Sequence, residues 1–421
     1  MLDFNLIRQN PEEVKKGVAS KNKNPALVDK FLRFDEKWRK KILSLNQLKA
    51  EQNALNKELA KDKSEVQLAR AQLLKKRIAE LTEEVSYLED KRLEIAFQLP
   101  NLPLPEVPAG ENESANKVLR EVGEKPKFDF EVKDYLTLAE NLDLIDVKRA
   151  AKVSGSRFGY LKNEAVLLEF GLVRLALDVL TKEGFIPLVP PVLINKKMME
   201  AMGYLDQKED REEVYFFEKD QLYLVGTSEQ SIGPMHADEI FLEDELPKRY
   251  VAFSTCFRRE AGSYGKDTKG ILRVHQFDKI EMFSFCHPDK SREEHRFFLS
   301  LEERLMQLLK IPYRVVEICT GDLGNTAAAK YDIEAWLPSY NQYRETHSTS
   351  NVTDFQARRL NIKFKSKKFN TKFYVHTVNG TAFAIGRTII AIIENYQTKN
   401  GTIIIPEALQ FYVGKKEISF R

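Results

Sequence analysis

The sequence predicts an α+β protein in two parts. An N-terminal antiparallel two-helix coiled-coil arm comes first, and a mainly antiparallel sheet with helices packed on it follows. Three observations predict this. Apolar residues recur at heptad spacing between residues 31 and 99. A stretch with four prolines and no periodicity, PNLPLPEVPAGENESAN, spans residues 100–116. From Lys117 onward, short alternating runs bounded by turn residues dominate, with a few helical patterns between them.

At 421 residues the chain can hold two to three domains and a large core. Lys and Arg number 66 against 63 Asp and Glu, a formal +3. That balance announces no nucleic-acid partner, so any such surface is local. The three cysteines, Cys256, Cys286 and Cys319, form no CxxC pair, which predicts a reducing compartment and no zinc site. The start MLDFNLIRQN shows no secretory signal and no apolar run reaches a membrane span, so a cytoplasmic protein with no membrane partner is expected.

In chain order, a small helix is expected from Pro11 to Ser20, with Asn10 as its cap. The first heptad seam runs Phe31, Trp38, Leu45, Gln52 and Leu59, with Phe34, Lys41, Leu48 and Leu55 beside it. The second runs Ala71, Leu74, Ile78, Leu81, Val85, Leu88, Arg92, Ile95 and Leu99. The charged break Lys61–Glu65 between them predicts a hairpin on the order of 45 Å long. Such an arm wets all faces but one, and Lys37, Arg39, Lys40, Lys41, Arg70, Lys75, Lys76 and Arg77 punctuate it. The pattern also suits a solvated coiled-coil surface. Further on, residues 163–183 read as a helix stopped by Gly184, and 185–189 as a strand running into Pro190-Pro191, a sheet edge or interface. Strands are also expected at 214–217, 222–225, 313–318 and 372–377, and a flexible basic loop at 364–372.

Two stretches carry chemistry. In residues 252–283, a strand ends in Phe257-Arg258-Arg259-Glu260, a Gly-rich loop follows (261–270), and a second strand runs from Ile271 to Phe283. On that strand Arg273, His275, Phe277, Lys279 and Glu281 would share one face. Arginine, aromatic and carboxylate on one face make a poor core and a good nucleotide site. In TVNGTAFAIGRTIIAIIENYQ, residues 377–397, Asn-Gly-Thr predicts a turn and Arg387 enters an apolar helix near its start. A cation there needs an anion.

Phe257-Arg258-Arg259-Glu260 resembles motif 2 of the class II aminoacyl-tRNA synthetases. Gly386-Arg387 resembles motif 3, and Gly184-Phe185 with Pro191 in GFIPLVPPVLIN resembles motif 1. Together with Thr227-Ser228-Glu229 and Arg344-Glu345, the wording is similar to the bacterial-type seryl-tRNA synthetases over essentially the whole chain. The resemblance implies a tRNA-binding arm at residues 1–99, a linker at 100–116 and a class II catalytic domain at 117–421. It implies a homodimer joined through the motif 1 segment, with the arm gripping tRNA(Ser). It implies activation of L-serine by ATP with Mg²⁺, then transfer of the seryl group to the tRNA 3′ end with release of AMP and diphosphate. It leaves tRNA(Sec) open as a second acceptor.

By the same resemblance, Arg258, Glu281 and Arg387 are catalytic. Thr227, Ser228, Glu229, Arg258, Glu281 and Thr381 bind serine. Arg258, Arg259, Glu260, Val274, Phe277, Glu345, Thr346, His347, Ser348 and Arg387 bind ATP, with Phe277 and Arg387 sandwiching the adenine and Arg387 also reaching the γ-phosphate. Glu345 and Ser348 meet Mg²⁺ through ATP. The chemistry fits these types. The amino acid is its own nucleophile, so the site needs cations and geometry rather than a reactive side chain. Asp332 and Glu334 lie on one face of the preceding strand, where they could support Glu345; they read instead as surface ion pairs. Thr346-His347-Ser348-Thr349-Ser350 departs from the usual Ile-Ser-Ser-Cys-Ser, and Ala382-Phe383 from a smaller pair; His347 by itself reads as a surface histidine. Two other readings compete. A carrier-loading paralogue would lack the heptad arm, and a non-catalytic relative would have lost Arg258, Glu281 or Arg387.

Overall fold

The computed structural model describes residues 1–61, 64–261 and 269–421, and the chain divides into two compact units, Met1–Leu102 and Pro103–Arg421. Part of the expected charged break and most of the loop after motif 2 lie outside the described residues.

The first unit has four helices: α1 (Phe4–Gln9), α2 (Pro11–Ser20), α3 (Ala26–Leu59) and α4 (Glu65–Gln98). Pro11 opens α2, as the sequence predicts, but the Asn10 side chain makes no capping hydrogen bond. Every heptad seam position named above is buried or half-buried. Interhelix ion pairs show the helices antiparallel: Arg92 with Asp35 at 3.1 Å, Lys41 with Glu84 at 2.9 Å and Arg70 with Glu51 at 2.5 Å.

At the base of the arm sits a buried charge cluster that periodicity could not foresee. Asp35 is fully buried and accepts hydrogen bonds from Arg8 at 2.7 and 2.8 Å, Arg39 at 3.0 Å and Arg92 at 3.1 Å. Arg92 also lies 3.8 Å from the centre of the Trp38 ring. Burial pushes the Asp35 carboxyl up, but the Arg8 and Arg92 bonds outweigh it and hold it below its usual range. A depressed carboxyl stabilises the fold above its unfolded pKa, and that stability is lost as pH falls through the folded value. Asp35→Asn strands the buried Arg92 guanidinium and the half-buried Arg8 and should cost this unit about 3 kcal/mol, read by thermal unfolding of the full chain. The gap between variant and wild type should close on acidification below about pH 4.

The second unit is built on an eight-stranded sheet. Its strands are β1 (Lys117–Val122), β2 (Ile186–Leu188), β3 (Lys248–Phe257), β4 (Gln276–Cys286), β5 (Tyr313–Glu317), β6 (Ala329–Leu337), β7 (Gln342–Thr353) and β8 (His376–Ala384). They lie in the order β1-β5-β6-β7-β8-β4-β3-β2. All pairs are antiparallel except β2 with β3. The proline-bearing β2 is an edge strand, as its sequence predicts. Three helices cover the sheet: α5 (Glu164–Leu180), α6 (Ser291–Leu308) and α7 (Ile385–Asn395). Gly184, at φ 83°, turns the chain out of α5 into β2, a conformation in which a Cβ would be strained. One main core joins Leu172 of α5, Leu305 of α6 and Ile389 of α7 to Ile280, Ile333 and Phe383 of the sheet. Each such side chain contributes about 1.5–3 kcal/mol by burial.

The proline-rich stretch is tied to this second unit from Leu104 onward. Leu104 N donates to Ala328 O at 2.8 Å, and Thr320 N to Pro108 O at 2.9 Å. The expected turn at Asn379-Gly380-Thr381 is instead the middle of β8. Backbone partners on both sides, Met282 and Thr349 opposite Gly380, hold it extended. The strand expected from Ile271 begins only at Gln276, because His275 N turns to Arg157 O at 2.9 Å. Arg273 and His275 therefore do not share a strand face with Phe277. No helix among the described residues is long and apolar enough to cross a membrane.

Candidate active site

Adjacent strands β6, β7, β8 and β4 open onto a cleft of about 290 Å³. It gathers Thr227, Glu229, Arg258, Glu260, Arg273, Val274, Phe277, Glu281, Glu345, Thr346, Ser348, Thr381 and Arg387. Residues more than 150 positions apart in sequence meet here because β8, late in the chain, inserts between β4 and β7.

Two β-bulges aim the side chains. In a regular strand Glu345 and Ser348 would face opposite ways. The register skips Thr346, since Ile333 pairs His347 and Glu334 pairs Glu345, and that extra residue turns both toward the cleft. On β8 the register skips Ala382, so Asn379, Thr381 and Ala384 all line the cleft. Ala382 and Phe383 are fully buried in the core and do not line it.

One end of the cleft is a carboxylate pocket. Glu281 pairs with Lys279 Nζ at 2.6 Å and lies within weak reach of Thr381 Oγ1 at 3.4 Å and Asn379 Nδ2 at 3.5 Å. Glu229 accepts from Tyr204 OH and from Asn379 Nδ2. Burial, and next the Glu281 charge, push the Glu229 carboxyl up to about 8, with Lys279 and Arg258 pulling the other way. Thr227 Oγ1 and Ser228 Oγ are buried without a hydrogen-bond partner among the described residues. Thr227 lines the cleft and Ser228 does not.

The cleft also holds three arginines. Arg258 donates from Nε to Gly226 O at 3.1 Å, and its guanidinium lies 5.3 Å from the centre of the Phe277 ring. Arg387 sits in the first turn of α7, so its charge adds to the positive end of the helix dipole. It donates to Glu345 O at 3.0 Å and lies 3.4 Å from Glu345 Oε2. Arg273 pairs with Glu260 at 2.7 Å. Desolvation in the cleft pushes Glu345 up, although 47% of its side chain still meets solvent. Arg387, Lys330 and Arg258 outweigh that and keep it below its usual range.

Three predicted residues stay outside the cleft lining. Arg259 packs its guanidinium 5.7 Å from the centre of the Tyr215 ring. Ser228 is fully buried beside Thr227. His347 is no surface histidine: it is 1% exposed, its Nδ1 meets Thr346 Oγ1 at 2.9 Å, and burial pushes it down to about 4. Strand alternation points it away from the cleft, toward Phe383. Asp332 is likewise buried, 3.4 Å from Lys330, and burial pushes it up to about 6, whereas Glu334 makes the expected half-exposed pair with Arg314.

The sequence reading assigns no role to Lys279, Asn379, Lys330 or Tyr204, all of which line the cleft. Spacing held a signal for two of them. Lys279 stands two residues from both Phe277 and Glu281, and Asn379 two from Thr381.

Comparison with known proteins places this geometry. Residues 1–103 match the seryl-tRNA synthetase N-terminal domain, and residues 215–396 match the tRNA synthetase class II core domain (G, H, P, S and T). The chain is 44% identical to the serine–tRNA ligase of Dictyoglomus turgidum, over 99% of both chains. It is 46% identical to that of Acidothermus cellulolyticus, over 98% of both. The seryl-tRNA synthetase of Pyrococcus horikoshii, solved with ATP, superposes with a TM-score of 0.93 at 42% identity, covering 100% of both chains. The cytoplasmic serine–tRNA ligase of Naegleria fowleri, solved with AMP, gives 0.88 at 36% identity, covering 100% of this chain and 99% of that one. With both domain models matched and full-length relatives above 40% identity, the chain belongs to the seryl-tRNA synthetase family of class II aminoacyl-tRNA synthetases.

Proposed function

We infer that the protein is a serine–tRNA ligase whose serine and ATP occupy opposite ends of this one cleft. The observation that carries the placement is its polarity: two buried glutamates with four amide and hydroxyl groups (Tyr204, Thr227, Asn379 and Thr381) on one side, and Arg258, Arg273 and Arg387 on the other. Serine offers an ammonium to Glu229 and Glu281 and a hydroxyl to Thr381 and Asn379. Its carboxylate then lies toward Arg258, which neutralises both it and the α-phosphate it attacks. Phe277 stacks the adenine, and Arg387 at the helix start holds phosphate oxygens. The carboxylate of serine displaces diphosphate at the α-phosphorus, and the tRNA 3′ hydroxyl then displaces AMP. No protein nucleophile is needed.

Mg²⁺ fits beside Glu345 and Ser348: both present oxygen donors to the cleft, and Glu345 is held ionised. Mg²⁺ takes one or two protein carboxylates and completes its shell with phosphate oxygens. When bound it supplies charge neutralisation on the phosphates. The arm carries the grip on tRNA(Ser), through phosphates rather than base edges. A homodimer would cover the exposed apolar edge around β2, where Ile186 is 49% and Val189 81% exposed; a monomer by light scattering at micromolar concentration with full activity would overturn that. A reducing, cytoplasmic setting suits three buried free cysteines.

The test of the function is ATP–pyrophosphate exchange with serine, threonine, alanine and glycine, with and without tRNA. Serine should dominate. Alanine leaves the pocket's polar groups unpaired, and threonine is excluded by size. Exchange supported equally by alanine would sink the serine pocket. Charging of tRNA(Sec) is assayed in the same series.

Glu229 gives a pH signature. At neutral pH in the empty site it keeps its proton, and to take an ammonium it must release it. Calorimetry of serine binding near pH 7, in two buffers of different ionisation enthalpy, should therefore show release of about one proton. Glu229→Gln should abolish the release; persistence in that variant would assign the proton elsewhere.

A further inference from the structure

On the helix side of the sheet, behind the pocket, lies a carboxyl that the reaction leaves unused. Glu302 of α6 is fully buried. Strand alternation turns Asn379 and Thr381 to the cleft and the intervening Gly380 toward α6. A Cβ at Gly380 would stand 2.9 Å from Glu302 Oε1 and 3.0 Å from Thr349 Oγ1. The carboxyl is thus pressed against the peptide that sets the position of the Thr381 hydroxyl.

Among the described residues neither Glu302 oxygen has a hydrogen-bond partner of ordinary geometry, though the Thr381 N–H lends a weak favourable interaction. The charges that face it have one sign: Glu281 from β4, Asp332 from β6 and Glu303 beside it on α6. An ionised carboxylate here would be desolvated, unpaired and surrounded by like charge, so the group keeps its proton.

We propose that Glu302, uncharged, is a positioning residue of the amino-acid pocket, bracing the Gly380–Thr381 peptide from behind so that the Thr381 hydroxyl stays in reach of Glu281. This rests on placing serine against Glu281 and Thr381. Ionising Glu302 puts an unpaired charge against that peptide. Serine use then weakens while ATP, at the far end of the cleft, is untouched.

The test is pyrophosphate exchange with serine and ATP varied separately at one neutral pH. The proteins are wild type, Glu302→Ala, Glu302→Gln and, as the pocket control, Glu281→Ala. Glu302→Ala should raise the serine KM about tenfold and leave the ATP KM in place. Glu302→Gln, isosteric and never charged, should recover most of that loss. Because Gln preserves shape, it decides the matter even if the Ala variant does not fold. The brace is overturned if Gln recovers none of the Ala loss, or if Ala moves both KM values together or neither. If Glu281→Ala also leaves serine KM unmoved, the pocket placement falls and takes the brace with it. If only the Glu302 variants are silent, the brace alone falls.

Discussion

Glu281→Ala should lower kcat/KM for serine by about 30- to 1,000-fold, the equivalent of about 2–4 kcal/mol, while ATP affinity measured without serine changes little. Glu281 is 1% exposed at the floor of the cleft, in contact range of Thr381, Asn379 and Lys279. With serine placed as proposed, loss of Glu281 removes the acceptor that the ammonium and hydroxyl share. It also strands Lys279, buried with its charge no longer answered at 2.6 Å. That unpaired cation would sit where the serine ammonium must go, so the penalty falls on serine twice. Glu281→Gln keeps the shape and one acceptor and should fall between wild type and alanine. Should Glu281→Ala instead weaken ATP and spare serine, the carboxylate belongs to the nucleotide end and the pocket is misassigned.

Excising the distal arm, residues 42–83, and closing the gap with a short turn should cut tRNA charging by about 100-fold or more. Serine-dependent pyrophosphate exchange should stay within about twofold. The cut ends lie close, because Lys41 and Glu84 pair across the hairpin at 2.9 Å. It also spares the Asp35–Arg8–Arg92 cluster and the packing of α1 and α2 on α3. The cleft residues all belong to the second unit. Charging at a normal rate by the shortened protein would remove the arm from tRNA recognition.

What the sequence disclosed followed the physics of each signal. The heptads were legible because one seam must be covered along its whole length, and no distant residue changes that. The motif residues were legible as types, since cations, an aromatic and carboxylates make poor core. Asn379-Gly380-Thr381 was misread because its composition favours a turn, whereas Gly380 is there for the tight approach of α6. His347 looked superficial because a polar residue between polar neighbours gives no local sign of burial; only the alternation of β7, reset by the bulge at Thr346, puts it inside. The Lys279–Glu281 pair was visible as spacing but not as a contact, since it depends on side-chain direction within a buried strand face. The Asp35 cluster needed Arg8, 27 residues away on another helix, and no periodicity reports such a meeting.

The base of the arm has a mechanical consequence. Two 34-residue helices make a lever about 50 Å long, and a tilt of about 1° at its root carries the tip through about 1 Å. Hydrophobic packing alone lets neighbouring side chains slide by such amounts. A carboxylate gripped by three guanidinium groups in fixed directions does not, because bidentate geometry resists rotation as well as separation. Asp35 therefore ties α1, α3 and α4 into one rigid root, so the two long helices keep their register along the whole hairpin instead of sliding past each other.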